Sequence, residues 1–115
     1  MKKNPAATAA VEFEPEFVAG LTKIFEEMIV FNQVLGLKIS SLKPGIVTGR
    51  IEMRRELVGH FAYTRLLGGV TSAGLDAMGG VAVMSAIGAR HMDEEPLQRL
   101  HRFAKLGTID LRIDY

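Results

Sequence analysis

A single carboxylate in an apolar stretch is the first residue of this sequence that could do chemistry. Asp76 is the only charged residue between Leu66 and Ala89, a segment otherwise rich in glycine, alanine and aliphatic side chains. A carboxylate that is removed from water is costly unless it is hydrogen-bonded. We therefore interpret Asp76 either as a functional group or as a structural one that is hydrogen-bonded to hydroxyls.

Two glycines stand eight and seven residues before this carboxylate. Gly68 and Gly69 fall where a helix carrying Asp76 would begin. The first turn of a helix presents unpaired N–H groups and a partial positive charge, and glycine lets a ligand's carbonyl oxygen come close to the backbone. The pair is thus a candidate carbonyl-polarising site. The alternative is that the glycines only relieve a tight entry into the helix.

The helix itself is predicted from composition, since periodicity is weak across the whole segment. Leu66–Ala89 is long enough to cross a membrane, but Asp76 near its middle and the interior glycines argue against that. Buried strands are a second possibility, for which β-branched residues are too few. The pattern favours a third, a helix that is apolar all round because the protein encloses it.

The preceding chain predicts a helix and a hairpin that would position this segment. Apolar residues at spacings of three and four predict an amphipathic helix from Pro15 to Leu35, ended by Gly36. Two strands follow, 37–42 and 46–54, joined by a turn at Lys43-Pro44-Gly45.

The two ends of the chain have a different character. Residues 1–14 are small and polar and predict a disordered tail, in preference to a signal peptide, so that the domain spans 15–115. Residues 91–106 predict a polar excursion with a helix start at Pro96. Thr108–Tyr115 alternates apolar and polar residues like a half-buried strand, and we expect further strands of its sheet beyond Tyr115.

Length and composition exclude several classes of protein. The chain has 115 residues, the size of one domain. Its composition, 48% hydrophobic and 23% charged residues, is that of a globular protein and argues against disorder of the whole chain. A net charge of +1 gives no general case for nucleic-acid binding. No cysteine and three histidines argue against disulfides, thiolate metal sites and multi-histidine zinc. We expect a cytoplasmic protein without a metal or other cofactor and without a membrane span.

Four stretches, in this order, resemble a known family. They are Phe31-Asn32-Gln33-Val34-Leu35-Gly36-Leu37, Leu66-Leu67-Gly68-Gly69-Val70, Ala73-Gly74-Leu75-Asp76-Ala77-Met78-Gly79-Gly80 and Gly107-Thr108-Ile109-Asp110-Leu111-Arg112-Ile113-Asp114-Tyr115. The chain resembles the hotdog-fold acyl-CoA thioesterases, in particular the PaaI-like group and its YigI-like branch. The resemblance implies an α+β hotdog fold, a long central helix wrapped by an antiparallel β-sheet.

The resemblance also implies roles for individual residues. Asp76 would act as general base on water, or as nucleophile, at the active site of the neighbouring subunit. Gly68 and Gly69 would polarise the thioester carbonyl. Thr108 would hydrogen-bond to the water or to Asp76, unless it is an ordinary strand threonine. These four are the predicted catalytic residues.

Three further residues are candidates for substrate binding. Leu67 stands where the family usually has histidine, so it would pack and leave the polarising to the backbone. His60 could rotate in for that histidine or be an exposed loop residue. Arg65, with Arg54 and Arg55, would contact coenzyme A phosphates or simply be solvated.

The expected function is hydrolysis of an acyl-CoA thioester to free acid and coenzyme A by a homodimer or a dimer of dimers. The alternative is a non-catalytic or degenerate member of the same family that only binds acyl thioesters.

Overall fold

The computed structural model describes residues 12–115, and most of the predicted tail, 1–11, lies outside the described residues. The helices are α1 Pro15–Lys23, α2 Val30–Leu35, α3 Gly68–Arg90 and α4 Pro96–His101. The strands are β1 Leu37–Lys43, β2 Ile46–Ile51, β3 Val58–His60 and β4 Arg65–Leu66. A π-helical turn, Ile24–Met28, joins α1 to α2, and short 3-10 turns lie at Arg55–Leu57 and Arg102–Lys105. The protein is therefore a mixed α+β fold with one long helix and antiparallel sheet.

The N-terminal helix is interrupted where a continuous one is predicted. Its backbone leaves the helical region at Ile29, where ψ is 96°. The Asn32 side chain, which is buried, donates to the Phe25 carbonyl at 3.0 Å and so satisfies an acceptor freed by the interruption. The predicted end of the helix is confirmed, since Gly36 adopts the left-handed conformation with φ 75°.

The predicted hairpin is confirmed in its turn and its pairing. Gly45 has φ 83°, as the second central residue of a type II turn requires, and Lys43 pairs with Ile46. The inner face of β2 meets α3 where Gly49 lies against the Met78 side chain. β2 ends at Ile51, three residues earlier than predicted, because Ile51 pairs with Leu37, the first residue of β1, and β1 offers the following residues no partner.

The main core lies between α1, the hairpin and the C-terminal half of α3. Its buried members are Phe13, Phe17, Leu21, Phe25, Leu42, Val81 and Met84. A second, smaller cluster, made of Leu35, Leu57 and Val70, lies under the start of α3. Phe13, which falls within the predicted tail, is buried in the main core. The packed part of the chain thus begins before Pro15.

An ion pair between a buried arginine and a partly exposed glutamate links α4 to the start of α1. The Arg99 side chain is fully buried, pairs with Glu14, and lies over the Phe17 ring with Cζ 4.7 Å from its centroid. The backbone amide of Glu14 and then the Arg99 guanidinium hold the pKa of the Glu14 carboxyl below its usual value, against the opposing effect of burial. Arg99 was not singled out from the sequence, because arginine is seldom fully buried.

The expectation that the protein encloses α3 on all sides is wrong for the described residues. Val81, Met84, Ser85 and Gly88 are buried, whereas Leu75 and Val83 on another face are about half exposed. Among the described strands, only the β1–β2 hairpin packs against the helix over several residues, and it covers one side of the helix. By length and composition alone α3 could cross a membrane, as core helices of soluble proteins also could.

The predicted strand Thr108–Tyr115 is also corrected. These residues pair with no strand among residues 12–115, and Ile109 and Tyr115 are exposed. A strand needs a neighbour that accepts its backbone hydrogen bonds, and the described chain offers none beside this segment. Two of its side chains, Thr108 and Tyr115, instead hydrogen-bond to α3.

Candidate functional site

The site is built on the first three turns of α3. The extended Leu67 precedes the helix, and its N–H donates to the Leu57 carbonyl at 2.9 Å, which fixes the direction in which the chain enters. Gly68 and Gly69 then form the first helical positions and are exposed. The helix therefore begins at the two glycines, as predicted. The N–H groups of its first turn have no acceptor within the helix.

Asp76 and Thr108 are brought together. The Thr108 hydroxyl donates to Oδ1 of Asp76 at 2.6 Å, although the two residues are 32 positions apart in sequence. This short charge-assisted bond fixes the carboxylate and leaves Oδ2 free of any hydrogen bond from the described residues. Asp76 is half-buried, so solvent or a ligand can reach it.

An apolar groove of about 620 Å³ opens beside this pair. Both Asp76 and Thr108 line it. The apolar part of its wall comes from Phe25, Leu75, Val83, Phe103, Leu106 and Leu111. A carboxylate at the edge of an apolar groove can act on a polar group whose hydrocarbon portion occupies that groove.

Further hydroxyls lie one turn nearer to the helix start. Ser72 Oγ donates to the Gly68 carbonyl at 3.0 Å and lies 2.5 Å from the Tyr115 hydroxyl, which itself donates to the same carbonyl at 2.6 Å. Gly68, Ser72 and Asp76 are each four residues apart and so share one face of the helix. The sequence analysis did not predict a role for Ser72 or Tyr115. The spacing of Ser72, four residues from both Gly68 and Asp76, does place it on the same helix face and could have indicated it.

Within one chain, the helix keeps the two halves of the predicted reaction centre apart. Eight residues separate Gly68 from Asp76, or roughly 12 Å along the axis at 1.5 Å per residue. One carbonyl group cannot contact both the first N–H groups of α3 and the carboxylate of the same helix.

The predicted substrate-binding residues lie away from Asp76. His60 ends β3 and Arg65 begins β4, both on an exposed hairpin that precedes α3. Leu67 lies between that hairpin and the helix. Its backbone packs closely on Gly59, since a Cβ added at Gly59 would lie only 2.7 Å from the Leu67 Cα. The structure thus groups these three with the helix start and not with the carboxylate.

The chain is similar to curated acyl-CoA thioesterases. It is 32% identical over 99 residues to the medium/long-chain acyl-CoA thioesterase YigI of Salmonella typhimurium, an alignment that covers 81% of this chain and 63% of the relative. The YigI proteins of Escherichia coli K12 and Shigella flexneri are each 31% identical over the same shares. No family model matches the chain, and no solved structure matches it significantly.

The chain therefore spans less than two thirds of the length of the curated relatives that it matches. The comparison supports a relationship to a thioesterase family, and it thereby confirms the acyl-CoA thioesterase part of the resemblance.

Proposed function

We propose that this protein hydrolyses acyl-CoA thioesters with medium or long acyl chains, on a hotdog-type domain, to give the free acid and coenzyme A. The observation that carries the proposal is the similarity over 81% of the chain to relatives named as medium/long-chain acyl-CoA thioesterases. The position of Asp76 at the edge of an apolar groove supports it independently.

The groove suits the acyl chain. Its wall is dominated by aromatic and aliphatic side chains from α3, the π-helical turn and the segment after α4. Each methylene that leaves water for such a wall contributes about 0.8 kcal/mol. Chain length should therefore act mainly on binding, with longer acyl chains giving a lower KM until the groove is filled.

Asp76 is proposed to act as the general base. Its carboxylate takes a proton from a water molecule as the water oxygen attacks the thioester carbonyl carbon. The carbon–sulfur bond then breaks, and coenzyme A leaves as a thiolate that takes the proton from Asp76 and so restores the carboxylate. The bond from Thr108 orients the carboxylate. General base catalysis contributes about 10²–10⁴ in rate.

The carbonyl oxygen would be polarised by N–H groups of Gly68 and Gly69. Because one helix keeps these groups about 12 Å from its own Asp76, we propose that each reaction centre combines Asp76 of one chain with the helix start of a second copy. Two α3 helices running antiparallel in a twofold dimer would create two equivalent centres. This is the physical reason to expect a homodimer, alone or within a dimer of dimers.

The proposal is tested by turnover of acyl-CoA substrates from C4 to C18 by wild type and by Asp76→Asn. Wild type should hydrolyse the longer substrates, and the variant should lose at least about a hundredfold in kcat while keeping its melting temperature. Asp93→Asn, an exposed carboxylate in the turn before α4, is the matched control and should behave as wild type. A kcat within threefold of wild type in Asp76→Asn would rule out this carboxylate as the base.

Binding of acyl-CoA without turnover of any substrate would instead identify a non-catalytic relative. If turnover is found, a single turnover in ¹⁸O-labelled water distinguishes the two roles of Asp76. Label in the Asp76 carboxyl indicates a nucleophile whose acyl anhydride is opened by water at the Asp76 carbon. Because water that opens the anhydride at the acyl carbon labels the acid instead, label in the acid alone indicates a base only if hydroxylamine traps no acyl-enzyme.

A further inference from the structure

The β3–β4 hairpin carries an exposed row of flat side chains that the proposed hydrolysis does not use. The His60 ring is stacked on Phe61, with centroids 5.9 Å apart and planes at 22°, and lies 4.9 Å from the Tyr63 ring. The Arg65 guanidinium continues the row, with Cζ 4.9 Å from the Tyr63 centroid. We call these four residues the ring row.

The ring row contributes little to the core of the protein. Phe61 is 91% exposed and Tyr63 is 66% exposed, and none of the four belongs to either hydrophobic cluster. Aromatic rings are among the side chains that gain most from leaving water. Such rings, held in order on a tight hairpin in which Thr64 has φ 50°, fit a ligand-binding role better than a role in stability.

A groove of about 630 Å³ lies beside the row and adds cationic groups. The guanidinium of Arg54, in the wall of this groove, already has partners within the protein. It donates to the carbonyls of Val34 and Leu35, and its Nε lies 3.8 Å from the Glu56 carboxylate. Arg55 and Arg65, by contrast, form no ion pair with any residue in 12–115. The surface thus combines exposed rings with two guanidiniums whose charge is not neutralised.

This chemistry matches a nucleotide that carries phosphates. Aromatic side chains stack on the face of any base, and guanidinium groups pair with phosphate oxygens through two parallel hydrogen bonds. We propose that the ring row and Arg55 bind the adenosine 3′,5′-bisphosphate end of the coenzyme A carrier. The inference deepens the proposed function and rests on it for the identity of the carrier.

The position of the row in the chain supports this assignment. β4 is followed by Leu67 and then by Gly68, so the nucleotide surface leads within three residues to the helix start that is proposed to polarise the thioester carbonyl. A nucleotide held at the hairpin would direct its pantetheine arm along the entry of α3. Recognition of the carrier would thereby be separated from recognition of the acyl chain.

Direct binding is the first test and does not depend on hydrolysis. Calorimetric titration with adenosine 3′,5′-bisphosphate should show binding to wild type, weakened about ten- to a hundredfold in Arg65→Gln and in Tyr63→Ala. Tyr63→Phe keeps the ring and should retain the affinity. Arg90→Gln removes an exposed arginine at the far end of α3 and should bind as wild type does.

The kinetic test compares two substrates with the same acyl group. Arg65→Gln and Tyr63→Ala should raise KM for acyl-CoA about tenfold or more, leave kcat unchanged, and leave both parameters unchanged for acyl-pantetheine, which lacks the nucleotide.

The two proposals fail in different ways. Nucleotide binding that depends on Arg65 and Tyr63, with no turnover of any thioester, would keep this inference and overturn the hydrolysis. If thioesters are turned over, any of three results would overturn the inference and keep the hydrolysis. The first is no binding of the bisphosphate up to millimolar concentration, and the second is equal bisphosphate affinity in all variants. The third is a KM for acyl-pantetheine that the substitutions raise as much as the KM for acyl-CoA. A change in sedimentation of the variants without a change in nucleotide affinity would identify the row as a contact between copies, which also overturns it.

Discussion

The two halves of α3 are made of similar residues and have different surroundings. In the C-terminal half, Val81 and Met84 are fully buried and Gly88 lies directly under the Phe17 ring. In the N-terminal half, the two leading glycines, Leu75 and Gly79 are exposed, and Val70 is the buried residue. The first half presents backbone N–H groups, a fixed carboxylate and apolar surface to its surroundings, and the second half holds the fold together. Stability and the proposed chemistry thus occupy opposite ends of one helix.

The largest effect that tests this contrast comes from truncating one apolar side chain in each half. Met84→Ala should lower the free energy of unfolding by about 2–5 kcal/mol, because it leaves a cavity in the main core. Leu75→Ala, at a side chain that is about half exposed, should cost less than about 1 kcal/mol. Urea unfolding of both variants measures the difference, and equal losses would show that a second copy or another surface covers Leu75 in solution as closely as the core covers Met84.

A pair of glycine substitutions sharpens the contrast by giving effects of opposite sign. A Cβ at Gly88 would overlap the Phe17 ring, so Gly88→Ala should destabilise the protein by about 1–3 kcal/mol. A Cβ at Gly79 meets nothing within 4 Å, so Gly79→Ala should stabilise it by about 0.5–1 kcal/mol through helix propensity alone. Thermal melts decide the signs. A destabilising Gly79→Ala would mean that another surface lies against this face of the helix.

The smallest effect concerns pH and comes from two carboxyls outside α3 whose arginine partners, Arg99 and Arg102, lie in the chain that follows its C-terminal half. Hydrogen bonding from Arg102 lowers the pKa of the Glu94 carboxyl from its usual 4.5, and the backbone amide of Glu14, followed by Arg99, lowers the pKa of the Glu14 carboxyl. A carboxyl with a lowered folded-state pKa stabilises the fold above its unfolded-state pKa and loses this contribution as pH falls through the folded-state value. Melting temperature should therefore fall below about pH 4.5.

Arg102→Gln should make that acid-induced fall smaller, because it removes the partner that lowers the pKa of Glu94. Arg50→Gln, which removes a partner from the exposed Arg50–Glu52 pair, is the matched control and should follow wild type. An identical pH profile in all three proteins would contradict the assignment of the acid sensitivity to Glu94.

Local chemistry in the sequence predicted part of this structure well. Pro15 and Gly36 marked the ends of the first helical region, Pro44 and Gly45 marked the turn, and the apolar run from Leu66 marked α3, because each of these signals acts within a few residues. The interruption at Ile29 was not predictable in the same way, since it depends on Asn32 reaching back to a carbonyl in the folded chain.

Long-range features were harder to predict, for two physical reasons. A helix that is apolar all round carries no stripe that would indicate which face is covered, so the exposure of Leu75 could not be read from its pattern. Thr108 alternates with apolar neighbours as strand residues do, yet its hydroxyl bonds to Asp76 from an unpaired segment. The likeness to a family paired these two residues, and no spacing within the sequence could have done so.

Two inactive variants, when mixed, test whether one reaction centre combines Asp76 of one chain with the helix start of another. Gly68→Pro removes a single N–H at the first helical position, where proline is well tolerated, and the extended Leu67 before it is compatible with proline. Gly68→Ala keeps the N–H and should remain active. Asp76→Asn supplies the second inactive chain.

Each variant alone should hydrolyse acyl-CoA at least about a hundredfold more slowly than wild type. After dissociation and reassociation in equal amounts, half of the dimers are mixed and each has one centre with an unaltered Asp76 and an unaltered Gly68. Activity should then return to about a quarter of the wild-type value. A mixture no more active than its two components, from dimers shown to exchange subunits, would contradict a centre shared between chains.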